Sequence, residues 1–207
     1  MAARVYDMRR RARAVDAARE QALAAAYGLL TKPSSRELSL DAIARAAGVT
    51  RATLYNQFGS RAELLVAIFR DLGRRMKSER IHAAMRLPEP EQALTAMLCE
   101  STRAYAREQL VIRKLFVFAA LDSDLNLEVQ RAERERRHSL AHLAARLLAG
   151  GHTRVEVSAA AELLGALTSF QAFEALAFDA APKLIERRLL DLVWAGLGIG
   201  KGKGLVG

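Results

Sequence analysis

The chain has 207 residues, 51% of them hydrophobic, with 32 Lys and Arg against 23 Asp and Glu and a formal net charge of +9. That length and apolar content support one or two packed cores, while the single cysteine, Cys99, excludes an intramolecular disulfide and a thiolate metal cluster and fits a reducing cytosol. No apolar run approaches the roughly 18 residues a membrane span needs, and the basic N-terminus lacks the apolar core of a secretory signal, so a soluble cytoplasmic protein is expected. Ala, Leu, Arg and Glu dominate and alternating β-branched runs are nearly missing, which predicts an all-α fold.

The first helix is predicted from about Arg11 to Leu30, with Val15, Ala18, Ala22, Ala25 and Leu29 on its apolar face. Just before it, Arg9, Arg10, Arg11 and Arg13 form a basic cluster suited to an arm that follows phosphates or enters a minor groove. Residues 1–80 hold 16 Lys and Arg against 8 Asp and Glu, whereas residues 81–207 hold 16 against 15. Nearly all the excess positive charge is therefore N-terminal, which suggests that this part faces a polyanion and the rest does not.

Between Ser39 and Phe69 the sequence spells two short helices at a sharp turn and then a third. Leu40, Ile43, Ala44 and Ala47 put four apolar side chains on one face of a helix starting at Ser39. Gly48 ends it, because glycine reaches the left-handed conformation without a Cβ penalty, and Thr50 is placed to cap the next helix. In that second helix Leu54 and Phe58 face inward, leaving Arg51, Thr53, Asn56 and Gln57 to point away from the core. Ser60 followed by Glu63 reads as a capping box leading into the amphipathic run Leu64, Leu65, Ile68, Phe69, Leu72 and Met76.

At Ser39, Ile43-Ala44, Ala47-Gly48-Val49-Thr50, Leu54-Tyr55, Gln57-Phe58, Ser60-Arg61 and Leu64 the sequence resembles the TetR (tetracycline-repressor-like) family of bacterial transcriptional regulators. With helix 1, the likeness covers about a third of the chain. Gln57 stands where the family usually has histidine and Arg61 where it usually has lysine, and Arg36-Glu37 lies near the place of the family's Gly-aromatic pair. The resemblance implies an N-terminal three-helix helix-turn-helix domain and a larger helical effector-binding and dimerisation domain, about nine helices in all. Residues 1–60 are assigned to the DNA-binding domain, 61–198 to the second domain with helix 4 connecting, and 199–207 to a disordered Gly/Lys tail.

Further along, helix 4 is expected to run from Ser60 to near Met85, and Leu87-Pro88-Glu89-Pro90 is the clearest linker. Helices are then predicted over 91–107, 109–121, 124–148, 155–178 and 182–197, with Gly150-Gly151 a stop and Pro182 in a first turn. Leu163, Leu164 and Leu167 make one of the last helices very apolar, and Leu184, Ile185, Leu189 and Leu192 do the same for the other. Two such helices from each of two chains would form a four-helix dimer contact, which the resemblance also implies; completion of a monomeric core is the alternative. A two-fold dimer would read a palindromic operator.

On the DNA-facing side, Arg51 is the candidate base reader, since a guanidinium donates two bonds to guanine O6 and N7. Thr53 is suited to a phosphate, a base edge or a thymine methyl, and Ala52 is small enough for close approach. Tyr55 matches a family tyrosine whose hydroxyl meets phosphate, Asn56 and Gln57 reach phosphate or base, and Arg61 meets phosphate. Ser39 and Thr50, at helix N-termini, offer hydroxyl and N–H donors to phosphates. The family's effector pocket suggests Met97, Tyr105, Phe116, Phe118, Phe170 and Phe173 as lining for a largely apolar small molecule, although aromatic residues at helical spacing also make plain core.

Two other constellations are weaker. His138 and His142 stand four apart on a helix, but Ser139 occupies the place of the glutamate in a His-Glu-x-x-His site. Asp122, Asp124, Asn126, Glu128 and Glu133 follow a calcium loop superficially, yet Leu127 sits where the turn needs glycine, so a helix cap at Ser123 or Asp124 is the better reading. No metal, cofactor or catalytic set is marked. The leading function is a sequence-specific regulator, a repressor released from its operator by a small apolar ligand. A weakly specific architectural DNA-binding protein and a helical enzyme without a recognisable motif are the alternatives.

Overall fold

The computed structural model describes residues 2–32, 38–177 and 180–200, with side chains from Val15 onward. Among them are ten helices: α1 Ala2–Leu30, α2 Leu40–Ala47, α3 Arg51–Phe58, α4 Arg61–Arg75, α5 Ser78–Met85, α6 Pro90–Ala119, α7 Ser123–Ala149, α8 Val157–Leu167, α9 Phe170–Leu176 and α10 Pro182–Gly196. The all-α expectation holds. No described helix is long and apolar enough to cross a membrane.

Contacts divide the chain into two compact units, Met1–Gly73 with Gln109–Val129, and Arg74–Glu108 with Gln130–Gly207. The division differs from the expected one at residue 60. Most of α4 belongs to the first unit because Leu64, Leu65, Ala67, Ile68 and Leu72 are buried in it. The end of α6 and the start of α7 join the same unit, with Val111, Ile112, Leu115 and Leu125 buried.

In the first unit, α1 packs on α2 and α3, burying Ala22, Leu23, Ala26 and Leu30. Because no glycine or proline interrupts residues 2–27, α1 begins at Ala2. The arginine cluster at 9–13 therefore lies within the helix and is not an arm preceding it; the Arg13 side chain falls outside those described. The turn between α2 and α3 forms as the sequence predicts. Gly48 sits at φ 66°, with its N–H on the Ala44 and Arg45 carbonyls.

The second unit corrects three helix boundaries. The helix expected from Ser60 to Met85 breaks at Lys77, whose φ of 55° is left-handed, and the Arg107 guanidinium donates to the freed Arg75 carbonyl at 3.3 Å. By contrast, 91–107 and 109–121 are one helix, α6, since nothing at Glu108 interrupts the backbone. The segment expected as one helix over 155–178 is two. Thr168 turns its hydroxyl onto the Leu164 carbonyl at 2.7 Å, and Ser169 caps α9 by accepting from the Ala172 N–H at 3.1 Å.

Within this unit α8, α9 and α10 pack on one another. Arg136 of α7 ties the end of α8 in place, donating to the Gly165 carbonyl at 2.7 Å and the Thr168 hydroxyl at 2.9 Å while holding Glu133 through two bonds. Arg146 binds the linker by donating to the carbonyls of Met85, Leu87 and Pro88. Leu197 and Ile199 are buried, and the Thr153 hydroxyl donates to the Leu197 carbonyl at 2.5 Å. Ordered chain thus continues past residue 198, because two apolar side chains anchor it; residues 201–207 lie outside those described.

Candidate nucleic-acid interface

The outward face of α3 is built by burying its opposite side. Leu54 and Phe58, four residues apart, are 1% and 5% exposed, and this turns Arg51, Ala52, Tyr55 and Asn56 to solvent, with Thr53 and Gln57 half-buried. Three caps fix the backbone around them. The Ser39 hydroxyl accepts from the Ala42 N–H, Thr50 from the Thr53 N–H and Ser60 from the Glu63 N–H, each at 3.1 Å. The Ser39 and Thr50 hydroxyls are therefore acceptors within the protein, and Thr50 also hydrogen-bonds the Thr53 hydroxyl at 2.9 Å.

Arg19 of α1 gave no signal in the sequence beyond its charge. It donates to the Gln57 carbonyl at 3.0 Å and lays its guanidinium 4.5 Å from the Phe58 ring centroid. That places a cation on the C-terminal end of α3, where carbonyls are otherwise unpaired. The contact joins residues 38 apart in sequence, which no helical periodicity reveals.

Arg51, Tyr55, Ser39 and Arg61 line one open cleft of about 560 Å³ with Leu38, Leu40, Asp41, Val117, Phe118 and Leu121. Arg51 donates from Nη2 to the Tyr55 hydroxyl at 3.4 Å and from Nη1 to the Asp41 carboxylate at 3.5 Å. Its guanidinium also stands 5.6 Å from the Tyr55 ring centroid. The Tyr55 hydrogen bond, then the Asp41 charge, raise the Arg51 pKa above its usual value, so it is a permanent cation. Arg61 lies 3.8 Å from the Asp122 carboxylate. The expected DNA-facing residues, Arg13 aside, thus belong to one unit, and the Asp41 and Asp122 carboxylates stand beside two of them, Arg51 and Arg61. Asp122 also accepts from the Leu125 N–H at 3.0 Å, so the cap of α7 is Asp122 and not Ser123 or Asp124.

The six residues proposed to line an effector pocket do not form one group. Tyr105, Phe170 and Phe173 cluster in the second unit, with centroids 5.6 to 6.2 Å apart, and the Tyr105 hydroxyl donates to the Thr168 carbonyl at 3.1 Å. Met97 is buried in the same unit. Phe116 and Phe118 belong to the first unit, and Phe118 lines the cleft that holds Arg51. Helical spacing predicted that these side chains face a core but not which core, because α6 serves both units.

The proposed dimer residues divide by exposure. Leu164, Ile185 and Leu189 are 0%, 1% and 2% exposed within the single chain, so they fill its own interior. Leu184 and Leu192 remain exposed, and Leu163 and Leu167 half-buried. At Gly196 an added Cβ would meet the Leu163 Cδ1 at 2.5 Å, so glycine permits the close approach of α10 to α8.

His138 and His142 stack edge to face at 4.8 Å. Cys99 donates to the Glu186 carboxylate at 3.0 Å, and burial, reinforced by that carboxylate, pushes the thiol up to about 12. It stays protonated at neutral pH, the wrong form for a nucleophile.

Residues 22–68 match the family model for bacterial regulatory proteins of the tetR family. No curated protein matches the sequence. Among solved structures, a transcriptional regulator from Rhodococcus sp. Rha1 is similar at 23% identity and a TM-score of 0.71, over 87% of this chain and 96% of that one. A TetR/AcrR-family transcriptional regulator from Thermobifida fusca has 23% identity and a TM-score of 0.68, over 84% and 95%. The fatty acid degradation regulator FadR from Bacillus halodurans has 17% identity and a TM-score of 0.64, over 86% and 98%. The matched segment contains α2, α3 and the start of α4, the helices that carry the exposed polar face. Residues 22–68 thus match the N-terminal region of the tetR family of bacterial regulatory proteins, and the chain has the fold of solved TetR-like transcriptional regulators over most of its length.

Proposed function

We propose that the protein is a cytoplasmic repressor that binds a palindromic operator as a homodimer and is released by a small, largely apolar effector. The observation that carries this reading is the outward row Arg51, Ala52, Tyr55 and Asn56 on a helix whose other face is buried. A short helix with hydrogen-bonding side chains on one face and caps at its start is the geometry that enters a major groove. One such helix reads few base pairs, so dimerisation supplies the second half-site. The exposed Leu184 and Leu192 and half-buried Leu163 and Leu167 offer the apolar surface for it.

The effector is assigned to the second unit. Its aromatic cluster of Tyr105, Phe170 and Phe173 favours an apolar or aromatic compound, and the fatty acid regulator among the similar structures is compatible with an acyl chain. The effector would act by binding one arrangement of the DNA-reading helices better than another, with a coupling of about 1–3 kcal/mol.

The test is selection of bound sequences from a random DNA pool at physiological salt, with the mass of the complex determined. A palindromic consensus bound by one or two dimers is expected, favoured over unrelated DNA by about 10³-fold or more. Affinity that follows salt alone, with no consensus, would leave an architectural DNA-binding protein as the better reading.

A further inference from the structure

Asp41 is the second residue of α2 and Arg51 the first of α3, and the turn at Gly48 brings them to 3.5 Å. Both are well exposed, at 62% and 55%. The carboxylate therefore adds little to stability. It stands instead on the face that meets DNA, where a negative charge opposes the polyanion. An acidic residue there needs a reason, and its partner supplies one.

We propose that Asp41 is a specificity-determining residue that turns Arg51 away from phosphates and toward base edges. A guanidinium carries five N–H donors. Asp41 engages Nη1 and Tyr55 engages Nη2, one donor on each, which leaves Nε and a second N–H on each Nη. Guanine needs only two donors, and its O6 and N7 are neutral acceptors. Those bonds survive the presence of Asp41. A phosphate is different, because its attraction to Arg51 depends on net charge, and the Arg51–Asp41 pair has almost none. A phosphate close to Arg51 is also close to the Asp41 carboxylate and is repelled by it. Asp41 thus weakens backbone contacts, which every sequence offers, and spares base contacts, which only the right sequence offers. The ratio of specific to nonspecific affinity rises as a result.

This inference rests on the proposed reading of α3, and the experiment separates the two. Full-length wild type, Asp41→Asn, Asp41→Glu, Arg51→Ala and the Arg51→Ala/Asp41→Asn double variant are titrated against the consensus duplex and a random-sequence duplex over a range of salt. Thermal melts establish that each variant is folded. Asp41→Asn is expected to bind the random duplex about three- to tenfold more tightly, with a salt dependence steeper by about one phosphate contact. Consensus affinity should gain less, so the specificity ratio falls by about threefold or more, and Asp41→Glu should restore most of it. In the Arg51→Ala background the Asn change should raise both affinities alike, as one added unit of charge does anywhere on this face. An unchanged ratio in Asp41→Asn, or an equal fall with Arg51 absent, overturns the role of Asp41 while leaving the reading of α3 standing. A wild-type ratio in Arg51→Ala, or the absence of any preferred duplex, overturns the reading and the inference with it.

Discussion

The Lys114 ammonium, near the end of α6, donates to the carbonyl of Leu30 at 2.9 Å, the last residue of α1, and to that of Lys32 at 2.5 Å. A cation at a helix C-terminus pairs with carbonyls that the helix itself leaves open. The contact spans 84 residues and fastens α6 to the helix on which α2 and α3 rest. Lys114→Met keeps most of the aliphatic stem and removes the donor. It should lower stability by about 1–2 kcal/mol in urea unfolding. An unchanged midpoint would mean that water serves those carbonyls equally well.

Arg51 and Arg61 line the same cleft but are assigned different partners. Arg51→Ala should cost roughly ten- to a hundredfold on the consensus site and relax preference at one base pair per half-site. Arg61→Ala should weaken binding to all sequences alike and lower the salt slope by about one. Fluorescence titrations of both variants against single-base substitutions of the site decide the matter. Two wild-type binding curves would place the DNA-reading face elsewhere.

Burial alone would raise the Glu133 carboxyl, but the hydrogen bonds and charges of Arg136 and then Arg137 outweigh it and hold the group below the usual range. A depressed carboxyl stabilises the fold above its unfolded pKa of about 4.3 and loses that contribution as pH falls through the lower folded value. Glu133→Gln should therefore be less stable than wild type at neutral pH, and the gap should close below about pH 4. Arg136→Met, which strips the donors from Gly165 and Thr168 as well, should cost on the order of 2–3 kcal/mol. Denaturant melts across pH check both; a gap for Glu133→Gln that is constant with pH would refute the ion-pair account.

Leu184 and Leu192 are 42% and 48% exposed in the single chain, on the helix that buries Ile185 and Leu189. Leu184→Glu with Leu192→Glu should leave each chain folded and shift the mass in solution from dimer to monomer, with loss of tight operator binding. Leu189→Glu should instead unfold the unit, because it buries an unpaired charge. A dimer that survives the first pair of changes would move the interface to another surface.

Local signals in the sequence carried the helix-turn-helix. Gly48, the caps at Ser39, Thr50 and Ser60, and the apolar spacing of Ile43, Leu54 and Phe58 all act within one or two helical turns, so a linear reading recovers them. Charge asymmetry and the absence of strand patterns likewise needed no coordinates. What distance in sequence conceals is different in kind. Arg19 on the end of α3, Asp122 beside Arg61 and Lys114 on the end of α1 are pairings between remote segments, and a charged residue shows no periodicity that names its partner. The continuity of α6 was not legible either, since its residues belong to two units in succession. For the same reason helical spacing does not separate Phe116 and Phe118 of the first unit from Tyr105, Phe170 and Phe173 of the second. Caps and apolar spacing within a few turns fix that the reading helix forms and where it starts, whereas Arg19 at its end and Asp122 beside Arg61 come into place only when helices distant in the chain pack together.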